Sequence, residues 1–139
     1  DSMRQSIARA IQENMPCLAE CGGFLYLHDA ITDIDGEEWA MVSVVHATAA
    51  YQGKLQPRSG YITLEDGQTG MQIRGHEFHY YDSTDYGQEW TARKPLSSRH
   101  WSCMHKQGNL LAGFPHLYYA SDPGFATEWV QRCRQWRKE

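Results

Sequence analysis

The sequence has no surplus of positive charge. Among its 139 residues, thirteen Lys and Arg stand against seventeen Asp and Glu, a formal net charge of −4 and a pI near 6.0. Nucleic acid and anionic membrane surfaces attract clustered basic charge, so neither is an expected partner. Long apolar runs are also missing. Phe24 to Leu27 and Val44 to Val45 fall far short of the roughly 20 residues a membrane-spanning helix needs, and no stretch reads as a secretory signal. Cysteine is sparse. Cys17, Cys21, Cys103 and Cys133 are irregularly spaced, and a chain of this length needs no disulfide staples, so a reducing, cytoplasmic setting is expected. No Gly-x-x-x-x-Gly-Lys-Ser/Thr occurs, which removes the phosphate loop an ATP site would use. Repeats, low-complexity tracts and internal linkers are absent too, leaving residues 1–139 as one expected domain.

What is present is enough to fold. Hydrophobic residues make up 41% and charged residues 22%, close to globular usage. Asp1-Ser2-Met3 leads straight into a helical pattern and reads as the middle of something longer. Ser2 with Gln5 forms a capping-box signature, and Met3, Ile7 and Ile11 recur every four residues, predicting a helix that ends near Asn14. Pro16 closes it, Cys17 to Glu20 reads as a short strand, and Phe24, Leu25, Leu27 and Ile31 fit a second helix. Met41 to Val45 reads as a buried strand and residues 47–59 as a loop around Pro57. From Gly60 the period becomes two, with Tyr61, Thr63 and Glu65 alternating against Ile62 and Leu64. Further strands are expected around Met71–Arg74, His76–Tyr81, Gln88–Arg93, Trp101–Lys106 and Leu110–Phe114, with a hairpin at Gln107-Gly108-Asn109. Asp122-Pro123 then caps a last helix whose one face carries Phe125, Trp129, Cys133 and Trp136. The order describes an α/β domain with a mostly antiparallel middle.

The sharpest local signal is a strand, then Glu20-Cys21-Gly22-Gly23, then a helix. A turn this tight lifts its central side chain out of the sheet edge, and glycines beside it remove Cβ atoms that would clash. A helix N-terminus behind the thiol favours thiolate, and the Gly22 N–H points where an oxyanion would form. The same spacing also fits a small buried cysteine at a tight turn. A nucleophilic cysteine needs a histidine to carry protons, and seven are available. His116 stands out, lying in a loop between the Leu110–Phe114 strand and the helix capped by Asp122, where α/β sites usually form. Each histidine singly also fits a satisfied, partly buried residue. Cys17, Cys103 and Cys133 read as core or neutral, Cys133 through the apolar stripe of the last helix. Trp129 and Trp136 read as cover for a surface.

Three segments carry a resemblance. Met15-Pro16-Cys17-Leu18-Ala19-Glu20-Cys21-Gly22-Gly23-Phe24-Leu25-Tyr26-Leu27 resembles the nucleophile segment of the cobyrinic acid a,c-diamide synthases. Arg74-Gly75-His76-Glu77-Phe78-His79-Tyr80 is similar to that family's second signature, and residues 113–123, Gly113 to Pro123, to its catalytic-histidine segment. Gly60-Tyr61 falls where the family carries a Gly-Tyr. The resemblance implies a C-terminal glutaminase domain of the class I, triad-type glutamine amidotransferases, a flavodoxin-like three-layer α/β fold. It further implies Cys21 as nucleophile, His116 as general base and acid, and Gly22 as an oxyanion donor. His76, Glu77 and His79 would lie near the substrate site or a domain interface. Glutamine would be the substrate, and ammonia would pass to an ATP- and Mg-dependent synthetase domain absent here. That domain would amidate the a and c acetates of a corrin-type macrocycle in cobalamin biosynthesis.

The pattern departs from the family in places. Class I glutaminases often place a Glu two residues after the histidine. The diamide synthases lack it too and often carry a second histidine there, but here Tyr118 stands, so a Cys–His dyad remains. The strand and Gly-Gly-Tyr loop that precede this region in the family, and supply a second oxyanion N–H, are not in the sequence; a truncated fragment is therefore expected. Two other readings compete with an active glutaminase. One is a non-catalytic relic or docking module of the same fold. The other is a zinc module using Cys17, Cys21, His76 and His79, since Cys-x3-Cys with His-x2-His approaches zinc spacing.

Overall fold

The computed structural model describes residues 2–137, and the elements run along them as follows. Helix α1 (Met3–Gln12) leads to strand β1 (Cys17–Glu20), helix α2 (Gly22–Tyr26), and strands β2 (His28–Thr32), β3 (Glu38–Ala40) and β4 (Val45–Tyr51). Strands β5 (Gly60–Asp66), β6 (Gln72–Glu77), β7 (Tyr81–Ser83), β8 (Trp90–Arg93) and β9 (His100–Cys103) come next. Then come β10 (His105–Gln107), β11 (Leu110–Gly113), β12 (His116–Leu117), a 3-10 turn (Tyr119–Ser121) and helix α3 (Pro123–Trp136). The described residues are thus mixed α/β, with three small sheets and few helices.

The sheets have the orders β1-β11-β10, β12-β6-β5-β8-β9 and β3-β2-β4-β7. Most pairings are antiparallel; β1 with β11 and β2 with β4 are parallel. Strand β11 is buried along its whole length. Its Leu110 and Ala112 join a core with Ala19, Phe24, Leu27 and Phe114, whereas Leu111 joins a second with Leu64, Ile73, Trp90 and Leu117. Such two-sided burial explains its unbroken apolar run.

The ends of the chain follow local rules. The Ser2 hydroxyl accepts from Gln5 N–H at 3.3 Å and the Gln5 side chain accepts from Ser2 N–H at 2.8 Å, the reciprocal capping box. The Asp122 carboxylate accepts from Gly124 N–H at 3.1 Å with Pro123 in the first turn of α3. Phe125 and Trp129 pack on the second core. The stripe does not continue that far: Cys133 is exposed, because only the first half of α3 lies against the sheet. Trp136 instead donates its indole N–H to the Glu13 carbonyl at 3.2 Å, covering the end of α1. No helix among the described residues is long and apolar enough to cross a membrane.

Four expected boundaries are different. The second helix stops at Tyr26, and Ile31 lies in β2, where Ile31 and Thr32 pair with Ala49 and Ala50. Met41 to Val44 is a return segment rather than a strand, its Val42, Ser43 and Val44 N–H groups donating to Tyr26, His28 and Leu27 carbonyls. The strand lies one step on, in β4, where Val45, Ala47 and Ala49 are buried and His46 and Thr48 exposed. Alanine on the inward face hid that alternation. Finally, β6 is one continuous strand that ends at Glu77, and Met104 at φ 66° divides β9 from β10.

Candidate active site

Cys21 sits where β1 gives way to α2, with φ 49° and ψ −105°. Positive φ is costly for a residue with a Cβ, so the turn itself is strained. Three contacts hold it. Cys21 N–H donates to Gly113 O at 2.9 Å, Leu25 N–H donates back to Cys21 O at 2.9 Å, and the thiol lies 4.0 Å from Phe78 O. The glycines play another part than the one expected of them. A Cβ at Gly22 would meet no atom within 4 Å among the described residues, and one at Gly23 would make only ordinary contact with Ala19 Cβ at 3.7 Å. Cys21 carries the strain, and the space beside Gly22 is open.

The electrostatics also correct an expectation. The Cys21 thiol is held above its ordinary value, chiefly by burial and also by the charges of Glu77 and Glu20, against which the Gly22 N–H works. The fold accounts for this: α2 has only five residues, the cysteine is partly buried, and two negative charges act on it. A standing thiolate is not favoured.

His116 opens β12, three residues beyond Gly113, with its side chain half exposed. Its Nδ1 lies 3.8 Å from Oε2 of Glu20, a charge contact longer than a hydrogen bond. The other Glu20 oxygen accepts from Leu117 N–H at 3.2 Å and from the Tyr119 hydroxyl at 2.5 Å. Burial, and then the Glu20 carboxylate, push the Tyr119 hydroxyl well above the usual phenol range. Since Glu20 pairs with Gly113 in the parallel register, nucleophile and histidine leave adjacent strand ends on the same side.

The second signature divides in two. His76 pairs across from His116 in the β6–β12 ladder, and its ring lies between Tyr61 at 5.4 Å and Phe78 at 6.3 Å. Both histidines, with Tyr61, Arg74, Pro95 and Tyr118, line a cleft of about 630 Å³. Glu77 and His79 lie on the other side, 1% and 4% exposed, beneath the site rather than in a cleft. His79 Nε2 is 2.8 Å from Glu77 Oε1, its Nδ1 is 2.6 Å from Tyr81 O, and its ring stacks on Phe114 at 3.7 Å. Trp101 N–H donates to the remaining Glu77 oxygen at 2.9 Å. The Glu77 and His79 side chains bond each other in the interior, whereas His76 opens on the cleft.

That arrangement leaves no place for the zinc module. Cys17, Cys21, His76 and His79 do not converge, both His79 nitrogens face protein acceptors, and no metal-binding group of three or more ligands occurs among the described residues. All four cysteines are free thiols, and burial pushes those of Cys17 and Cys103 up. Glu20 and Tyr119 carry no distinctive spacing in the sequence. The available signal was Glu20's position on the strand, facing opposite to buried Ala19.

Comparison with known proteins places these features in a family. Residues 1–124 match the CobB/CobQ-like glutamine amidotransferase domain. Among similar proteins, the cobyrinate a,c-diamide synthase of Herminiimonas arsenicoxydans is 38% identical over 125 residues, covering 88% of this chain and 27% of the relative. The cobyrinate a,c-diamide synthase of Caldanaerobacter subterraneus subsp. tengcongensis is 33% identical over 141 residues, covering 96% and 31%. That of Priestia megaterium is 31% identical over 146 residues, covering 99% and 31%. The chain therefore spans under a third of the length of these relatives. With the family's domain matched across the elbow, the second signature and the histidine segment, the chain belongs to the CobB/CobQ-like glutamine amidotransferases.

Proposed function

We propose that the chain is the glutaminase unit of an ATP-dependent amidoligase acting in cobalamin biosynthesis. The observation that carries this reading is the strained Cys21 elbow, tied by its N–H to Gly113, with His116 three residues further along the same chain. The elbow and the parallel β1–β11 pair would form part of a flavodoxin-like, three-layer class I domain.

In this mechanism Cys21 Sγ attacks the side-chain amide carbon of glutamine. Because the thiol sits high, its proton is taken during attack, by His116, rather than lost beforehand. The new C–S bond pushes the carbonyl electrons onto oxygen, and the Gly22 N–H donates to that oxyanion. Collapse breaks the C–N bond as His116 returns the proton to nitrogen, releasing ammonia and leaving a γ-glutamyl thioester. Water then attacks the thioester, His116 accepts its proton, and the thiol is restored as glutamate leaves. Ammonia would pass to a synthetase unit that binds ATP and Mg and activates the a and c acetates of cobyrinic acid. The cleft holding His76 and His116 is the proposed approach for glutamine or for that unit. A cytoplasmic setting suits four free thiols.

The experiment is a glutaminase assay on this chain with C21A and H116A beside it. Ammonia release by the parent, lost in C21A and reduced about 10²–10⁴-fold in H116A, supports the reading. Labelling of Cys21 by an electrophilic glutamine analogue without ammonia release would mean an incomplete site. Neither labelling nor release would overturn the reading in favour of a docking module.

A further inference from the structure

We propose that Glu20 is the positioning carboxylate of His116, filling from the nucleophile's own strand the role left empty at Tyr118. The inference rests on the glutaminase reading above and deepens it. Tyr118 follows the histidine by two residues but is 60% exposed and lines the open cleft, and its side chain has no carboxylate to offer. Glu20 is the acid that meets the ring: its Oε2 lies 3.8 Å from Nδ1, and its side chain is only 19% exposed.

The carboxylate is clamped rather than loosely near. Its Oε1 accepts from Leu117 N–H, the peptide directly after His116, and from the Tyr119 hydroxyl two residues beyond. Both donors come from the segment that carries the histidine, so Glu20 and His116 are held as one piece. With Oε1 committed to two donors, Oε2 is the oxygen turned to the ring. It can only accept, so closing the 3.8 Å gap to a hydrogen bond would select the tautomer with hydrogen on Nδ1 and leave the lone pair on Nε2. A substrate-free site often shows such contacts long and closes them when substrate enters. As Nε2 takes the proton, the ring becomes cationic beside a fixed anion.

Substitution E20Q separates this role from a structural one. The Gln oxygen keeps both donors, but its NH2 group now faces Nδ1 and reverses the tautomer. Nε2 then carries hydrogen and cannot act as base, the defect known to follow acid-to-amide exchange in serine protease triads. The expected result is kcat lowered by about 10²–10⁴-fold, with KM within about twofold of the parent. Cys21 alkylation by iodoacetamide, read peptide by peptide to exclude exposed Cys133, should be as fast or faster. Removing a negative charge beside the thiol eases its ionisation. Y119F loosens the clamp and keeps the charge, so kcat falls less than in E20Q.

Nitrogen-15 NMR of the His116 ring supplies a readout that needs no turnover: hydrogen on Nδ1 in the parent and on Nε2 in E20Q. Parent-like kcat or an unchanged tautomer in E20Q overturns the proposal. So does a loss of kcat accompanied by slower alkylation and a lower melting temperature, which would mark Glu20 as a structural brace. A tautomer switch between parent and E20Q, with a parent that releases no ammonia, would support the pairing and defeat the glutaminase reading instead.

Discussion

Gly75 offers a direct test of how closely the histidine's position is set by backbone packing. It lies in β6 opposite Leu117 of β12 and Ile62 of β5. A Cβ built there would be 2.6 Å from the His116 carbonyl oxygen and 2.9 Å from Leu64 Cδ1. Reaching an ordinary separation of 3.4 Å from the carbonyl needs a shift of about 0.8 Å. Leu64 is fully buried and β5 is fixed by its pairing on both sides, so the two-residue β12 is the part that yields. His116 therefore moves against a Cys21 held separately by Gly113. A misplacement near 1 Å can cost about 10²-fold in rate, and overpacking costs about 1–3 kcal/mol. G75A is thus expected to lose roughly one to two orders of magnitude in kcat while its melting temperature falls by roughly 5–10 °C. Steady-state glutaminase kinetics and a thermal melt on the same preparation check both. A G75A chain with parent kcat would show that β12 is not the ruler for His116, and the reasoning would fail.

Two further outcomes concern stability. Gly87 has φ 90°, and a Cβ there would lie 2.2 Å from the Met104 carbonyl, so G87A is expected to destabilise by more than about 3 kcal/mol and to be recovered largely unfolded; a cooperative parent-like melt would refute it. Burial raises the Asp66 carboxyl, but Lys106 Nζ at 2.5 Å and the Gln68 and Thr69 N–H groups outweigh it, and the net direction is downward. A depressed folded value means stability that is present above the unfolded value of about 3.9 and lost as pH falls through the folded one. D66N should therefore cost about 1–3 kcal/mol at pH 7, with the gap from the parent closing below about pH 4. Urea melts at pH 7, 5 and 3 measure this, and a pH-independent gap would contradict it.

The parts of the fold that were legible are those fixed by local chemistry. The capping box at Ser2, the Asp122-Pro123 start of α3, the two-residue period of β5 and the apolar run of β11 each announce themselves within a few residues. The elbow was legible as a strand, Cys21 and a turn, although its glycines are not sterically required and its thiol is raised rather than lowered. What stayed hidden depends on pairing between distant segments. Ala47 and Ala49 look featureless until β2 and β7 flank them. Nothing along the chain tells that Trp101 and His79 take the Glu77 oxygens. Glu20 meets Leu117 and Tyr119 across nearly a hundred residues, a closeness that no spacing rule along the chain expresses.

Strand β11, enclosed on both faces, has a consequence for control. Its last residue accepts the Cys21 amide, and the chain leaving it reaches His116 after Phe114 and Pro115, both almost fully buried. Nucleophile and base are thus referenced to one stiff support, and a movement of that support carries them together. In the proposed glutaminase, a signal that moved β11 would therefore leave the pair's spacing unchanged, and only the two-residue β12 could shift His116 alone. Coupling would act at β12 or at the doorway, by admitting glutamine, shaping the oxyanion's surroundings near Gly22, or opening the way out for ammonia.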